Sequence, residues 1–202
     1  MSELFSFIVK GGIIMIPLLL ASVISLAVTI ERLMFWRKIG SKAAAEEMLR
    51  DVAEGNLSEA LRQARESIIP TVRVLAAGLL QPNPSYSKAM EVAAQAEVPT
   101  LKRRLVVLDT VITLAPLLGL LGTITGMIGS FGIMSEAGLG QPHAVTGGVA
   151  EALIATATGL LIAIVTLIPY NYFSARADRE MEDIEYFASR MELLLAGHRE
   201  SK

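Results

Sequence analysis

Cysteine is absent from the chain, which excludes disulfides, thiol chemistry and cysteine-bound metals. The two histidines, His143 and His198, lie far apart in sequence and fit no metal-ligand spacing. A formal net charge of −2 gives neither nucleic acid nor an anionic lipid surface a bulk attraction. The sequence contains no nucleophile elbow, phosphate loop, HExxH pair or paired-carboxylate motif. It also lacks internal repeats and low-complexity tracts. The expectation is therefore a protein that is not an enzyme and holds no metal or cofactor. Charge is missing above all from three long runs. Gly11–Ile30 has none over twenty residues, the stretch between Asp109 and Glu136 none over 26, and Ala152–Ala175 none over 24.

Those runs dominate a chain that is 52% hydrophobic. A helix of about twenty residues spans roughly 30 Å, the thickness of a bilayer's hydrocarbon. Gly11–Ile30 is too long for the apolar core of a signal peptide, and no small-residue cleavage site follows it. Pro17 falls early in the run, where proline costs least. Basic and aromatic residues mark its exit, and Glu31, Arg32 and Trp36 are read as interface anchors. The second run exceeds one bilayer thickness and should tilt or protrude. The reading is an all-α integral membrane protein with three transmembrane helices, the second and third extending into a cytoplasmic helical domain.

The intervening segments are polar and helix-forming. Met48, Leu49 and Val52 share a side of Ser41–Glu54; Gly55-Asn56 breaks it, and Asn56 is placed to cap Leu57–Glu66. Pro70 can open a short helix through Leu80, Gln81–Pro84 reads as a turn, and Ser85 can cap a helix leading into the second span. Pro99 should kink that helix or offset its start. Met181, Ile184, Ala188, Met191 and Leu195 form a short stripe suited to packing between neighbouring helices. The division expected is 1–10 external, 11–35 first span, 36–104 cytoplasmic, 105–135 second span, 136–144 external loop, 145–174 third span and 175–202 cytoplasmic helix. Twelve basic residues lie between Arg32 and Arg104 and five in the tail, against none in the link after the second span. The positive-inside rule then puts the N-terminus outside and the tail in the cytoplasm.

Small residues gather on one face of each later span. Pro116, Thr123 and Ser130 are seven apart, with Gly119 and Gly126 between them at helical spacing and Gly122 beside them. Ala152, Thr156, Gly159, Ala163 and Thr166 make a similar stripe. Such faces suit close packing around something polar. Two readings fit the hydroxyls of Thr123 and Thr156: each bonds a carbonyl of its own helix, or each serves a polar path. Glu151 is either an intramembrane carboxylate, by default functional, or a charge at the outer interface. At 100° per residue it lies about 140° around the helix from Thr156.

LAPLLGLLGTITGMIGSF, followed by GVAEALIATATGLLIAI, closely resembles the ExbB/TolQ/MotA proton-channel family, on its ExbB side. The first span with its Glu31-Arg32 exit, and PTVRVLAAGLL at Pro70–Leu80, resemble the ExbB/TolQ branch. The MotA branch usually has four spans. The resemblance implies a homopentameric ring in a bacterial inner membrane. It also implies two single-span partner helices of the ExbD/TolR type inside the ring and, beyond them, a TonB-like protein. It assigns the proton path to Thr123, Thr156 and Glu151, and the packing or pore face to Pro116, Gly119, Gly122, Gly126, Ser130, Ala152, Gly159 and Ala163. The expected work is energising transport at the outer membrane. A Tol-Pal-type motor, a flagellar-type stator and a non-conducting scaffold remain the alternatives. The bilayer is a further partner; nucleic acid is not.

Overall fold

The computed structural model describes residues 11–39, 42–81, 85–137 and 142–200. The described residues form seven helices: α1 (Met15–Lys38), α2 (Lys42–Ala53), α3 (Leu57–Glu66), α4 (Pro70–Leu79), α5 (Tyr86–Leu101), α6 (Leu105–Ala137) and α7 (Pro142–Glu200). Among the described residues there is no strand. The expected N-terminal segment 1–10, most of the turn at 81–84 and the link at 138–141 lie outside them. Helices α1, α6 and α7 are long and apolar enough to cross a membrane. Helix α4 is apolar too, but at ten residues it is too short. At 33 residues α6 is about 50 Å long, well beyond the hydrocarbon layer.

The chain divides into two compact units, one of residues 1–31 and 104–172, the other of residues 32–103 and 173–202. In the first, Met15 and Leu18 of α1 pack against Ala115 of α6, with Ile14, Leu118 and Ile162 around them. Ser25 and Thr166, both buried, are hydrogen-bonded at 2.8 Å. The hydrogen of Thr166 already goes to the Ile162 carbonyl at 2.7 Å, so Ser25 is the donor. Interhelical bonds of this kind contribute about 1 kcal/mol in a membrane. Ser25→Ala and Thr166→Val should each lower stability by about that amount. Thermal unfolding in detergent should show the double variant no worse than the poorer single one.

In the second unit the sequence pattern produces a helical core. Met48, Leu49 and Val52 of α2 are buried, as are Val72, Val74 and Leu75 of α4, Met90 of α5, and Ile184, Phe187 and Met191 of α7. Gly55, at φ +82°, takes the left-handed conformation that lets α3 follow α2 after three residues. Asn56 stands at the N-cap of α3, but its side chain makes no capping bond; its amide reaches Glu54 at 3.4 Å instead. Ser85 likewise occupies the N-cap of α5 without a side-chain cap. Pro70 opens α4 as its first residue.

Pro99 sits inside α5, and the chain leaves helical geometry just beyond it, at residues 102–104. Arg104 there has φ +63°, the one non-glycine residue with positive φ among those described. The last carbonyls of a helix lack intrahelical partners. Arg32 adds a side-chain donor at the end of α5, giving from Nη1 to the Thr100 carbonyl at 3.4 Å beside the Arg103 N–H, while its guanidinium lies 4.2 Å from the centre of the Phe35 ring. Pro169 leaves α7 unbroken through all 59 residues.

Candidate functional site

The two small-residue faces meet each other within the chain. A methyl group at Gly119 would sit 3.0 Å from both the Ala155 carbonyl oxygen and Thr156 Cα. One at Gly122 would sit 2.5 Å from Ala155 Cβ, and one at Gly126 2.9 Å from Ala152 Cβ. At Gly159 it would collide with the Ala115 carbonyl oxygen. Ala115 thus faces Gly159, Gly119 faces Ala155 and Thr156, and Gly126 faces Ala152 and Gly148. Numbers rise along α6 as they fall along α7, so this is an antiparallel seam in which backbone touches backbone. Ser130, Ala152, Ala163 and Thr166 are buried, as are Gly119, Gly122 and Gly159, while Gly126 is half-buried. Pro116 and Thr123 are half-buried at its edge. Large apolar side chains take the opposite faces and remain exposed, among them Leu117, Leu121 and Ile128 on α6 and Leu160, Leu161 and Ile168 on α7.

The two threonines use their hydroxyls differently. Thr123 donates to the Leu120 carbonyl of its own helix at 2.6 Å. Thr156 donates across the seam to the Gly119 carbonyl at 2.8 Å. That carbonyl is within reach because a glycine lets α7 approach α6 at this level. Each hydroxyl has spent its single hydrogen, so both offer only lone pairs to anything else. They can accept a hydrogen bond from a neutral carboxylic acid or from water. They can donate to a carboxylate only by releasing the carbonyl each now holds.

Glu151 points elsewhere. Its carboxylate lies against Gly12, where any side chain would overlap it and where φ is +73°, a conformation glycine tolerates best. It lines a cavity of about 410 Å³ with Gly11 and Ile14 before α1, Gly122, Thr125 and Ser130 of α6, and Gly148 of α7. Glu151 is half-buried and has no hydrogen-bond or ion-pair partner among the described residues. The structure therefore brings Thr156 to the Gly119 seam and Glu151 to the start of α1, on different sides of α7. Gly12, Thr125 and Ala155 carry no distinguishing sequence signal. Thr125 follows Thr123 by two residues, and Ala155 precedes Thr156, but nothing in their spacing says which helix they face.

Of the expected anchors, Glu31 is ion-paired with Arg104 at 3.5 Å. Arg32 and Trp36 are packed inside the protein, 1% and 7% exposed, with the Arg176 guanidinium 5.8 Å from the centre of the Trp36 ring. The Arg32 guanidinium holds the end of α5, whereas the Trp36 indole nitrogen is buried without a hydrogen-bond partner among the described residues. Among the described residues no cluster of histidine, aspartate and glutamate could hold a metal ion.

Residues 41–186 match the MotA/TolQ/ExbB proton channel family. The chain is 36% identical over 197 residues to a putative biopolymer transport protein, ExbB-like 1, of Synechocystis, covering 92% of this chain and 76% of the relative. A second Synechocystis protein, ExbB-like 3, is 36% identical over 193 residues, with 91% of each chain covered. The Tol-Pal system protein TolQ of Haemophilus influenzae is 36% identical over 114 residues, covering 56% of this chain and 49% of that one.

Proposed function

The chain belongs to the MotA/TolQ/ExbB proton channel family, and from that premise we propose that it is the channel subunit of a motor driven by the proton-motive force. It sits in the inner membrane with its N-terminus outside and its C-terminal helix in the cytoplasm. Five copies form a ring around two single-span partner helices of the ExbD/TolR type. The partner carries an aspartate, and the ring's work reaches an outer-membrane apparatus through a TonB-like protein. The observation that carries this reading is the family match, which takes in both spans of the glycine seam. Preference for the ExbB type rests on the two ExbB-like relatives, whose similarity covers nine-tenths of this chain. The shorter TolQ similarity favours a Tol-Pal motor as the second reading.

The physical logic starts from the cost of charge. An ionised carboxylate in hydrocarbon is expensive, so the partner's aspartate stays protonated wherever it faces apolar wall. A neutral acid is a donor, and Thr123 and Thr156 present acceptor lone pairs to it. Releasing the proton requires groups that stabilise the anion. The hydroxyls can turn from helix carbonyl to carboxylate, a swap of one hydrogen bond for another that leaves no proton trapped on the ring. Each proton crossing yields about 2.3 kcal/mol per 100 mV, available to turn the partner within the ring. Glu151, without a hydrogen-bond or ion-pair partner among the described residues and beside a cavity, gathers protons before they reach the threonines.

The test uses the chain co-reconstituted with its partner in liposomes. Native mass spectrometry should give a pentamer, and proton flux should require the partner. Glu151→Gln and Glu151→Ala should both depress flux with the ring intact. Wild-type flux from both variants across pH would remove Glu151 from the path, and a fully active monomer or dimer would sink the ring.

A further inference from the structure

A groove in the second unit, between α5 and α7, has a composition that the proton path does not use. Its volume is about 450 Å³. The floor is apolar and includes Met90, Ala94, Met181, Ile184 and Ala188. Met90 and Ile184 are almost fully buried and Ala94, Met181 and Ala188 half-buried, so the floor continues the core of this unit. Three carboxylates stand around it, Glu91, Glu185 and Glu192, and no cation lines it. Glu91 is met from outside by Lys88 at 2.7 Å. Among the described residues no cation is paired with Glu185 or Glu192. The acidity is local: residues 32–103 and 173–202 together hold 16 lysines and arginines against 15 aspartates and glutamates. Within a near-neutral unit, Glu185 and Glu192 thus set negative charge with no paired cation among the described residues beside an apolar channel.

The channel has the length of a short helix. Ser87 to Gln95 runs about 12 Å along α5, and Met181 to Glu192 about 17 Å along α7. Methionine in the floor adapts to differently shaped apolar side chains, because its unbranched thioether has three rotatable bonds. An apolar groove of this kind takes the apolar face of an amphipathic helix, whose anchors recur at three- and four-residue spacing. The acidic rim selects the flanks of that helix, favouring lysine or arginine beside the apolar stripe and rejecting acidic ones. We propose that this groove is a docking site for a cationic amphipathic helix, about ten residues long, of a partner protein.

The full-length chain in phosphatidylcholine nanodiscs tests this with a fluorescent 14-residue peptide. The peptide has leucines at three- and four-residue spacing flanked by lysines; a counterpart carries glutamates in place of the lysines, and empty discs correct for lipid binding. The lysine peptide should saturate at one per chain and bind at least tenfold more tightly than the glutamate peptide. Glu185→Lys with Glu192→Lys should weaken it at least tenfold, and Glu185→Gln with Glu192→Gln should weaken it less. Ala94→Trp, which fills the floor, should also abolish it, with far-UV circular dichroism unchanged. Equal affinity for the charge-reversed protein, or no binding above empty discs, overturns the proposal. So does disulfide trapping between copies of Ala94→Cys and Ala188→Cys, because a second copy of the chain would then fill the groove.

Discussion

Gly159→Leu should abolish the folded membrane unit, whereas Leu161→Ile, two residues along the same helix, should be nearly silent. At Gly159 even a methyl group collides with the Ala115 carbonyl oxygen, and Gly119 Cα lies only 3.2 Å from that methyl position. Neither obstacle can rotate away, because both are backbone inside helices. Accommodating leucine means separating α6 from α7, which breaks the contacts at Gly119, Gly122 and Gly126 together. Overpacking a tight core typically costs 1–3 kcal/mol, and a clash against backbone belongs at or above about 3 kcal/mol. Leu161 is 62% exposed, so its change of shape meets no neighbour within the chain. Gly119→Leu should behave like Gly159→Leu. Detergent-solubilised yield, melting temperature and size-exclusion profile should separate the two classes clearly. Equal tolerance of Gly159→Leu and Leu161→Ile would mean that the seam does not exist in the membrane.

Helical periodicity encodes one half of this seam and is silent on the other. The spacing of Gly119, Gly122 and Gly126, and of Ala152, Thr156 and Gly159, is visible as two helical faces, because residues three and four apart must share a side. That the faces meet each other depends on tertiary pairing, which periodicity does not encode. The threonines illustrate the same limit. A membrane hydroxyl commonly bonds its own helix, as Thr123 does. Thr156 reaches the other helix because Gly119 brings the acceptor close.

Arg32 has the local sequence features of a lipid-facing anchor, since it follows an apolar run and precedes aromatics. The carbonyl it serves belongs to Thr100, 68 residues further along the chain, at a helix end whose position near Arg32 no local pattern could announce. Helix boundaries are more accessible. Pro70 and Gly55 act through their own backbone restrictions and freedoms, and both mark helix ends as their chemistry requires. Asn56 and Ser85 occupy the N-cap positions that their residue types favour, yet neither side chain turns back to the helix to make the capping bond.

Thr156→Val should reduce proton flux at least tenfold in the ring with its partner, and Thr156→Ser should retain most of it. Valine matches threonine in shape, so the seam at Gly119 stays filled. Two things are lost: the bond to the Gly119 carbonyl and the lone pairs offered to a passing proton carrier. The first is worth about 1 kcal/mol in stability, and a packing role alone would show only that modest drop in melting temperature. The second acts on flux, because an ionising carboxyl would find an apolar methyl where a donor or acceptor is needed. Measuring both quantities on the same three proteins separates the roles. Flux near wild type in Thr156→Val, with a lower melting temperature, would assign the hydroxyl to helix packing. A collapse of flux with no more than that modest drop in melting temperature and with intact partner binding would place it on the proton path. Thr123→Val sharpens the comparison, since that hydroxyl bonds only its own helix and contributes nothing to the seam. Its loss should leave stability unchanged and lower flux, a combination packing cannot produce.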